Sequence, residues 1–175
     1  MAYITVIVLL MGNCSKDKIW QDDDLSLSRN DYNGNQLRVD GYFYQEKDGY
    51  FYTMYCLYTN GMLLYLGGGF SQAEVIELED RIRNGSFYAS AKEFKNNWGV
   101  FNIENNTIKF EKWYAGDPPL KAYVRVGEII NDTTFVINES YRMQGGKKTE
   151  VRAKAETYHF KAFSPKPDST NKFIP

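Results

Sequence analysis

Histidine, cysteine and any excess of one charge are what this sequence lacks. Its 175 residues include one His and two Cys, too few for a zinc cluster built on these ligands. Lys and Arg number 21 against 22 Asp and Glu, giving a formal net charge of -1. That balance argues against both a strongly basic nucleic-acid-binding protein and an acidic, solvated chain.

Catalytic and cofactor motifs are also missing. Gly67-Gly68-Gly69 precedes a predicted helix but lacks the Gly-Lys-Ser/Thr of a phosphate loop, so these glycines are predicted to bend a strand. Asp22-Asp23-Asp24 lacks the Gly and Glu of a calcium loop, and His159 is predicted to lie on the surface. We therefore expect no enzyme activity, no metal and no cofactor.

Aromatic residues are plentiful. They make up 16% of the chain, with 14 Tyr and 11 Phe, which excludes a disordered protein. A chain of this length suits one domain and buries enough surface for a core without disulfide support.

The N-terminus carries a targeting signal. Residues 2–11 are apolar except for Thr5, and the run ends in Leu10-Met11-Gly12-Asn13-Cys14 before polar sequence. An aliphatic residue four before a Cys and a Gly two before it are typical of a bacterial lipobox, in which the Cys is acylated after cleavage. The alternative is a buried N-terminal strand, because residues 3–8 favour strands.

Four segments follow from this interpretation: a signal peptide over 1–13, a lipidated Cys14 with a flexible tether over 14–36, a β-domain over 37–164 and a C-terminal tail over 165–175. The tether assignment rests on the polar composition of residues 15–36, which lack sustained periodicity. With Cys14 acylated, Cys56 has no disulfide partner.

The body of the chain predicts an all-β fold with one inserted helix. Apolar runs alternate with turn pairs such as Asp48-Gly49 and Asn131-Asp132, which favour tight hairpins. We expect an antiparallel meander of about eight strands that closes into a barrel. The predicted strands are 37–44, 50–58, 62–67, 98–103, 107–114, 120–130, 133–143 and 156–163.

A capping box predicts where the helix begins. Ser71 is the N-cap and Glu74 bonds back to it, while Asn84-Gly85 ends the helix. Because the helix joins the third and fourth predicted strands, we expect it to cover one mouth of the barrel. Segment 86–97 stays open, with a second short helix over 89–95 as one possibility.

The hairpin turns predict which side chains point inward. A two-residue turn at Asp48-Gly49 places Phe43 opposite Met54, and one at Asn131-Asp132 places Val124 opposite Glu139. These registers predict an inward-facing set of side chains, and the members that would line a ligand cavity are Met54, Cys56, Phe101, Phe110, Lys112, Val124, Glu139, Tyr141 and Tyr158.

Glu139 and Lys112 are the polar exceptions in this set. A buried carboxylate must be protonated, paired or hydrated, so we expect an inward Glu139–Lys112 pair that orients a ligand head group. The alternative is a β-bulge that turns Glu139 outward to water.

The meander resembles lipocalin-like bacterial lipoproteins of the calycin superfamily. The residues that carry the resemblance are Trp98-Gly99-Val100-Phe101-Asn102-Ile103, 106–110, 127–135 and 160–168 within about 37–164. The Gly-x-Trp motif of true lipocalins is absent, and Gly41-Tyr42-Phe43 stands in that region. The resemblance implies a cup-shaped barrel that binds a small apolar ligand.

Together these features predict a lipid-anchored lipoprotein of the cell envelope, in the outer membrane and facing the periplasm or the surface. Its function would be to bind a small apolar or amphipathic ligand. The alternative is a filled-core scaffold or accessory lipoprotein whose outer surface contacts another envelope protein or a glycan. The expected partners are the membrane and a small ligand, with no nucleic acid.

Overall fold

The computed structural model describes residues 21–87, 91–116 and 118–175, and the predicted signal peptide and Cys14 lie outside them. The described residues form nine strands and one α-helix, which lies between the fourth and fifth strands. The elements are β1 (Gly41–Lys47), β2 (Tyr50–Leu57), β3 (Met62–Gly67), β4 (Phe70–Ser71), α1 (Gln72–Arg83), β5 (Trp98–Glu104), β6 (Thr107–Tyr114), β7 (Lys121–Asn131), β8 (Thr134–Gln144) and β9 (Lys147–Ala162). A 3-10 turn over Lys95–Asn97 precedes β5.

Eight of the strands form a closed antiparallel barrel. The hydrogen-bonded order is β1-β9-β8-β7-β6-β5-β3-β2, and pairing of β1 with β2 closes the ring. The two-residue β4 pairs with the start of β2 outside that ring. The predicted eight-stranded meander with one inserted helix is confirmed.

The strand ends divide the barrel into two mouths. The β1–β2 and β8–β9 turns lie at one mouth, which we call the open end, together with the connection from β6 to β7. The β2–β3, β5–β6 and β7–β8 turns lie at the other, which we call the closed end.

Aromatic rings pack the interior towards the closed end. Phe135 stacks on Tyr158 with ring centroids 4.8 Å apart, and it lies 5.0 Å from the ring of Phe43. Phe110 contacts both Phe135 and Tyr55. Offset and edge contacts of this kind are the favoured geometries for aromatic pairs, so this part of the barrel is a core of interlocking rings.

The helix packs outside the barrel. Its capping box is present as predicted, with the Ser71 side chain bonded to the Glu74 N–H, and its C-cap is Asn84. The apolar face of α1 (Val75, Leu78 and Ile82) joins a second core cluster with outward residues of β2 and β3. The expectation that the helix covers a mouth is therefore wrong.

Residues 21–36 lie along the barrel wall, and we call this segment the strap. Asp23 accepts two hydrogen bonds of 2.6 Å from Arg142, and the buried carboxylate of Glu111 accepts from the N–H groups of Ser26 and Leu27. Leu25 and Leu27 pack on the outer core cluster. These contacts overturn the expectation that this part of the chain is a solvated tether.

The strap also covers the closed end. Tyr32 and Leu37 join the inner core cluster, and the Tyr32 hydroxyl accepts a 2.8 Å hydrogen bond from the Leu37 N–H. The tail packs on the barrel as well, because the Lys166 amine donates to the carbonyls of Val39 and Leu57. The closed end is thus covered by the strap, which precedes the strands in the chain, and by the tail, which follows them.

The triple glycine forms a tight corner. Gly67 and Gly69 have φ angles of +125° and +77°, and a Cβ on Gly68 would lie 1.9 Å from the Tyr52 carbonyl oxygen. Only glycine fits such positions without strain. These residues therefore shape the passage from β3 to α1, in line with the prediction that they bend a strand.

Candidate functional site

Polar side chains fill the interior of the barrel near the open end. Strand pairing sets Arg125 of β7 opposite Phe110 of β6 on one side and opposite Ser140 of β8 on the other. Ser140 in turn lies opposite Arg152 of β9. Because directly paired residues share a face, these side chains lie on the same interior face as the phenyl rings below them.

A cleft of about 210 Å3 opens between these strands. Its lining residues are Tyr114, Tyr123, Arg125, Ser140, Arg152 and Lys154. A neighbouring hollow of about 310 Å3 shares Tyr114 and Tyr123 and adds Pro119 and Lys121. The open end therefore has a concave surface lined by tyrosines. Three cationic side chains, Arg125, Arg152 and Lys154, lie in the cleft.

Glu156 is the carboxylate that balances part of this charge. It forms ion pairs with Arg125, and with Lys154 at 3.2 Å. Arg125 also donates to the Tyr158 hydroxyl at 3.3 Å, and that hydroxyl lies 3.0 Å from the Thr53 hydroxyl. The Nε of Arg125 is buried and has no acceptor within the described part of the chain.

Lys112 lies beside the cleft, opposite Tyr123 in the β6–β7 ladder, and is buried among aromatic rings. Its amine is 3.9 Å from the centre of the Tyr114 ring and 4.9 Å from that of Tyr65, and it donates to the Trp113 carbonyl at 2.7 Å. Burial, assisted by the nearby charge of Arg125, lowers the pKa of Lys112 to about 7. The amine of Lys112 therefore changes between its protonated and neutral forms close to neutral pH.

Four of the predicted cavity residues lie inside the barrel. Phe101 and Phe110 belong to the ring-packed core, Tyr158 joins that core to the polar network, and Lys112 contacts the cleft residue Tyr114. Their predicted role in binding a ligand stays a prediction.

Met54 and Cys56 point outward, against the prediction. A bulge between Gln45 and Glu46 shifts the β1–β2 register, so Phe43 pairs with Tyr55 instead of Met54. A shift of one residue moves every later side chain to the other face. Both side chains therefore lie in the outer cluster beneath α1, where burial raises the pKa of the Cys56 thiol to about 12.

Val124, Glu139 and Tyr141 also face outward. Shifts in the β7–β8 ladder make Val124 pair with Tyr141, and Val124 shares the outer face with Glu111. Glu139 forms a 2.6 Å ion pair with Lys148, and its side chain is 36% exposed. The predicted inward Glu139–Lys112 pair is wrong, and the bulge alternative describes Glu139 correctly.

Five residues at the cleft were not among the predicted site residues: Tyr123, Arg125, Arg152, Lys154 and Glu156. The wrong β7–β8 register placed Tyr123 and Arg125 outside, and the predicted last strand began at residue 156, whereas β9 begins at Lys147. The alternation Arg152, Lys154, Glu156, Tyr158 on one face of a strand is the signal that would have found part of the site.

Comparisons with known proteins place no constraint on this site. No protein-family model, no curated protein and no solved structure matches the chain. The closed eight-stranded antiparallel barrel is consistent with a lipocalin-like fold.

Two further findings concern the described residues only. Over 21–87, 91–116 and 118–175, no group of three or more His, Cys, Asp or Glu side chains is arranged to hold a metal ion. In the same part of the chain, no helix has the length and apolar character needed to cross a membrane.

Proposed function

We propose that this protein is a lipid-anchored, lipocalin-like binding protein whose open end holds a small ligand with an anionic group. The observation that carries the proposal is the cleft of about 210 Å3 in which Arg125, Arg152 and Lys154 converge on tyrosine rings. Concave sites with a few converging polar groups are the usual places where proteins bind small molecules.

The charge balance favours an anion. Three cationic side chains line the cleft, and Glu156 is the carboxylate paired with two of them. Arg152 makes no ion pair with another described residue, and the buried Arg125 Nε lacks an acceptor among them. A carboxylate or phosphate oxygen could accept hydrogen bonds from both arginines, since guanidinium groups bind these oxygens in a fixed geometry.

The volume of the cleft limits the size of the ligand that it can hold. At about 210 Å3 it is smaller than the ~300–1,000 Å3 of drug-sized pockets, and ring packing fills the barrel below it. An amphipathic ligand would place its anionic group beside Arg125 and its apolar part against Tyr114 and Tyr123, in the neighbouring hollow. The sequence predicted an apolar or amphipathic ligand inside the barrel with its head group at Glu139 and Lys112, and the proposal moves the head group to Arg125 in the cleft.

Lipid anchoring at Cys14 remains part of the proposal. Its support is the lipobox-like sequence Leu10-Met11-Gly12-Asn13-Cys14 after an apolar run, which would place the protein in the outer membrane of a cell envelope. Replacing Cys14 by Ser should abolish incorporation of labelled fatty acid. Incorporation that persists in Cys14→Ser would refute the anchor.

The binding proposal is tested with the purified full chain. We expect isothermal titration with small aromatic carboxylates and phosphates to show binding that Arg152→Ala weakens about tenfold, the loss of one charge-assisted hydrogen bond. The matched control is Lys109→Ala, a partly exposed cation whose side chain pairs with Glu104 on the outer wall. Equal affinity in wild type and Arg152→Ala would refute an anion site in the cleft.

The second candidate function is a filled-core scaffold. The stacked rings of Phe135 and Tyr158 and their contacts with Phe43 favour it, because they leave the barrel centre to side chains. Native mass spectrometry of protein isolated from cells separates the two candidates. A retained small anion supports the binding protein, whereas a stable complex with another envelope protein supports the scaffold.

A further inference from the structure

A lysine is buried inside the barrel beside the cleft. Lys112 of β6 lies two residues from Phe110 of the inner core, and it is 3% exposed. Residues two apart on a strand point to the same face, so the lysine points inward. Its stem fits against β5 because a glycine stands opposite: a Cβ on Gly99 would lie 2.7 Å from the Lys112 Cβ.

The surroundings of this amine favour its neutral form. No carboxylate among the described residues forms an ion pair with it, and the rings of Tyr114 and Tyr65 flank it at 3.9 and 4.9 Å. The charge that acts on it is the guanidinium of Arg125, which has the same sign. Burial and this like charge together lower the pKa of Lys112 to about 7, so much of the amine is neutral near neutral pH.

A structural role as a bridge does not account for the buried amine. Lys166 at the closed end has such a role, because its amine donates to the carbonyls of Val39 and Leu57 in separate parts of the chain. The amine of Lys112 donates to the carbonyl of Trp113, the next residue along the same strand. That bond joins no separate segments.

The amine lies close to the cleft and its cationic groups. The Tyr114 ring contacts Lys112 and also lies 5.4 Å from the guanidinium carbon of Arg125. Tyr114 and Tyr123 line the cleft, and Tyr123 is the direct partner of Lys112 in the β6–β7 ladder. A small molecule held beside Arg125 is therefore next to the ring on which the amine packs, and rotation of the Tyr114 side chain would open the amine to it.

We propose that Lys112 captures small aldehydes that carry an anionic group, by forming an imine with the carbonyl carbon in the cleft. The requirement for an anionic group rests on the proposed function, whereas the chemistry of the amine does not. Lysines that are desolvated or that lie beside a second cation are the ones that proteins use to form imines with carbonyl compounds.

The reaction needs no further reactant. The lone pair of the neutral amine attacks the carbonyl carbon and forms a carbon–nitrogen bond, while the electrons of the carbonyl π bond move to oxygen. The two amine protons then leave with that oxygen as water, and a C=N bond replaces the C=O bond. Nothing is oxidised or reduced, so the capture is reversible.

The test uses the purified full chain with 4-carboxybenzaldehyde and sodium cyanoborohydride, which adds hydride to the imine and leaves a stable secondary amine. Peptide mapping by mass spectrometry locates the label. At pH 7 we expect Lys112 to react at least about tenfold faster than Lys109 on the outer wall, because burial leaves more of the Lys112 amine neutral. In urea the difference should vanish, since it depends on the folded surroundings.

A variant of the intervening ring tests the route from the cleft. Tyr114→Ala should speed labelling of Lys112 severalfold and leave the rate at Lys109 unchanged. Phe94→Ala removes a 57% exposed ring and is the matched control, with no change expected at Lys112. Labelling of Lys112 no faster than Lys109 in the folded wild type, or an unchanged rate in Tyr114→Ala, would overturn capture in the cleft.

Benzaldehyde, which lacks the carboxylate, separates the capture from the anion site. We expect it to label Lys112 more slowly than 4-carboxybenzaldehyde does, and Arg152→Ala to remove that difference. If both aldehydes label Lys112 preferentially and no anion binds in titration, the capture of aldehydes stands and the proposed function fails. If anions bind but Lys112 is not labelled preferentially, the proposed function stands and the capture fails.

Discussion

At its closed end the barrel interior holds packed aromatic rings, whereas at its open end it holds tyrosines, lysines and arginines. The same strands build both halves; β6, for example, carries Phe110 in one and Lys112 in the other. Apolar burial stabilises the first half, while the second half buries charge that costs free energy unless it is paired. The closed half thus supports the fold, and the open half carries the features that a ligand would use.

The largest effect should come from the closed half. Phe135→Ala removes a buried ring that contacts Phe43, Phe110 and Tyr158, and we expect unfolding free energy to fall by about 3–5 kcal/mol. Urea denaturation measures it. Phe94→Ala, at a 57% exposed ring, is the control and should change stability little. Similar losses in both variants would contradict a stabilising ring core.

The buried amine of Lys112 is expected to lower the free energy of unfolding, and its pH dependence can be measured. Its folded pKa of about 7 lies below its unfolded value, so the unfolded chain binds more protons between these pKa values and stability rises with pH. Wild type should gain roughly 2 kcal/mol between about pH 7 and pH 9 from this group. Lys112→Met should lack that gain and be more stable near pH 7. Parallel stability curves for the two proteins would show that Lys112 is not the cause.

An effect of similar size is expected where the strap meets the open end. Burial opposes the charge of Asp23, but hydrogen bonds from Arg142 and the Ala122 N–H outweigh it and lower its pKa. Its stabilisation is therefore present above the unfolded pKa and lost as pH falls through the folded value. Asp23→Asn should cost about 2 kcal/mol near neutral pH.

Chemical denaturation measures the Asp23 effect, and faster proteolysis within the strap should accompany it. Asp24→Asn, at an exposed neighbour, serves as the control. A strap that resists proteases equally in both variants would show that the Asp23–Arg142 pair does not hold it.

The smallest effect should come from Glu139. Its side chain lies on the outer wall and pairs with Lys148 in partial exposure, so Glu139→Gln should change stability by less than about 0.5 kcal/mol. Titration with the same anions should give the wild-type affinity. A clear loss of ligand affinity would return Glu139 to the binding site and weaken the distinction between the two halves.

Local sequence signals predicted the fold well. The capping box of Ser71 and Glu74 fixed the start of α1, and turn pairs located six of the eight barrel strands to within about two residues at each end. These signals work because a cap or a tight turn depends on a few neighbouring residues.

The candidate site was harder to predict because faces depend on register. One bulge at Gln45 and Glu46 exchanged Met54 for Tyr55 inside the barrel. In the β7–β8 ladder, the shift between Ile129 and Asn131 pairs Ile137 with Gly127, which places Arg125 inside, and the shift at Gly127 turns Glu139 outward. A bulge adds one residue without a distinctive sequence, yet it reverses every side chain beyond it. The strap was missed for a related reason, since its few apolar anchors, Leu25, Leu27 and Tyr32, show no sustained periodicity.

Closure of the ring between β1 and β2 affects how copies of the protein can associate at high concentration. Each of the eight barrel strands has hydrogen-bonded neighbours on both sides, and the outermost strand of the described sheet is the two-residue β4. Exposed strand edges are the usual templates on which copies of a β-protein join into aggregates. The described part of the chain therefore offers no long strand edge to another copy, which favours separate molecules at high local concentration.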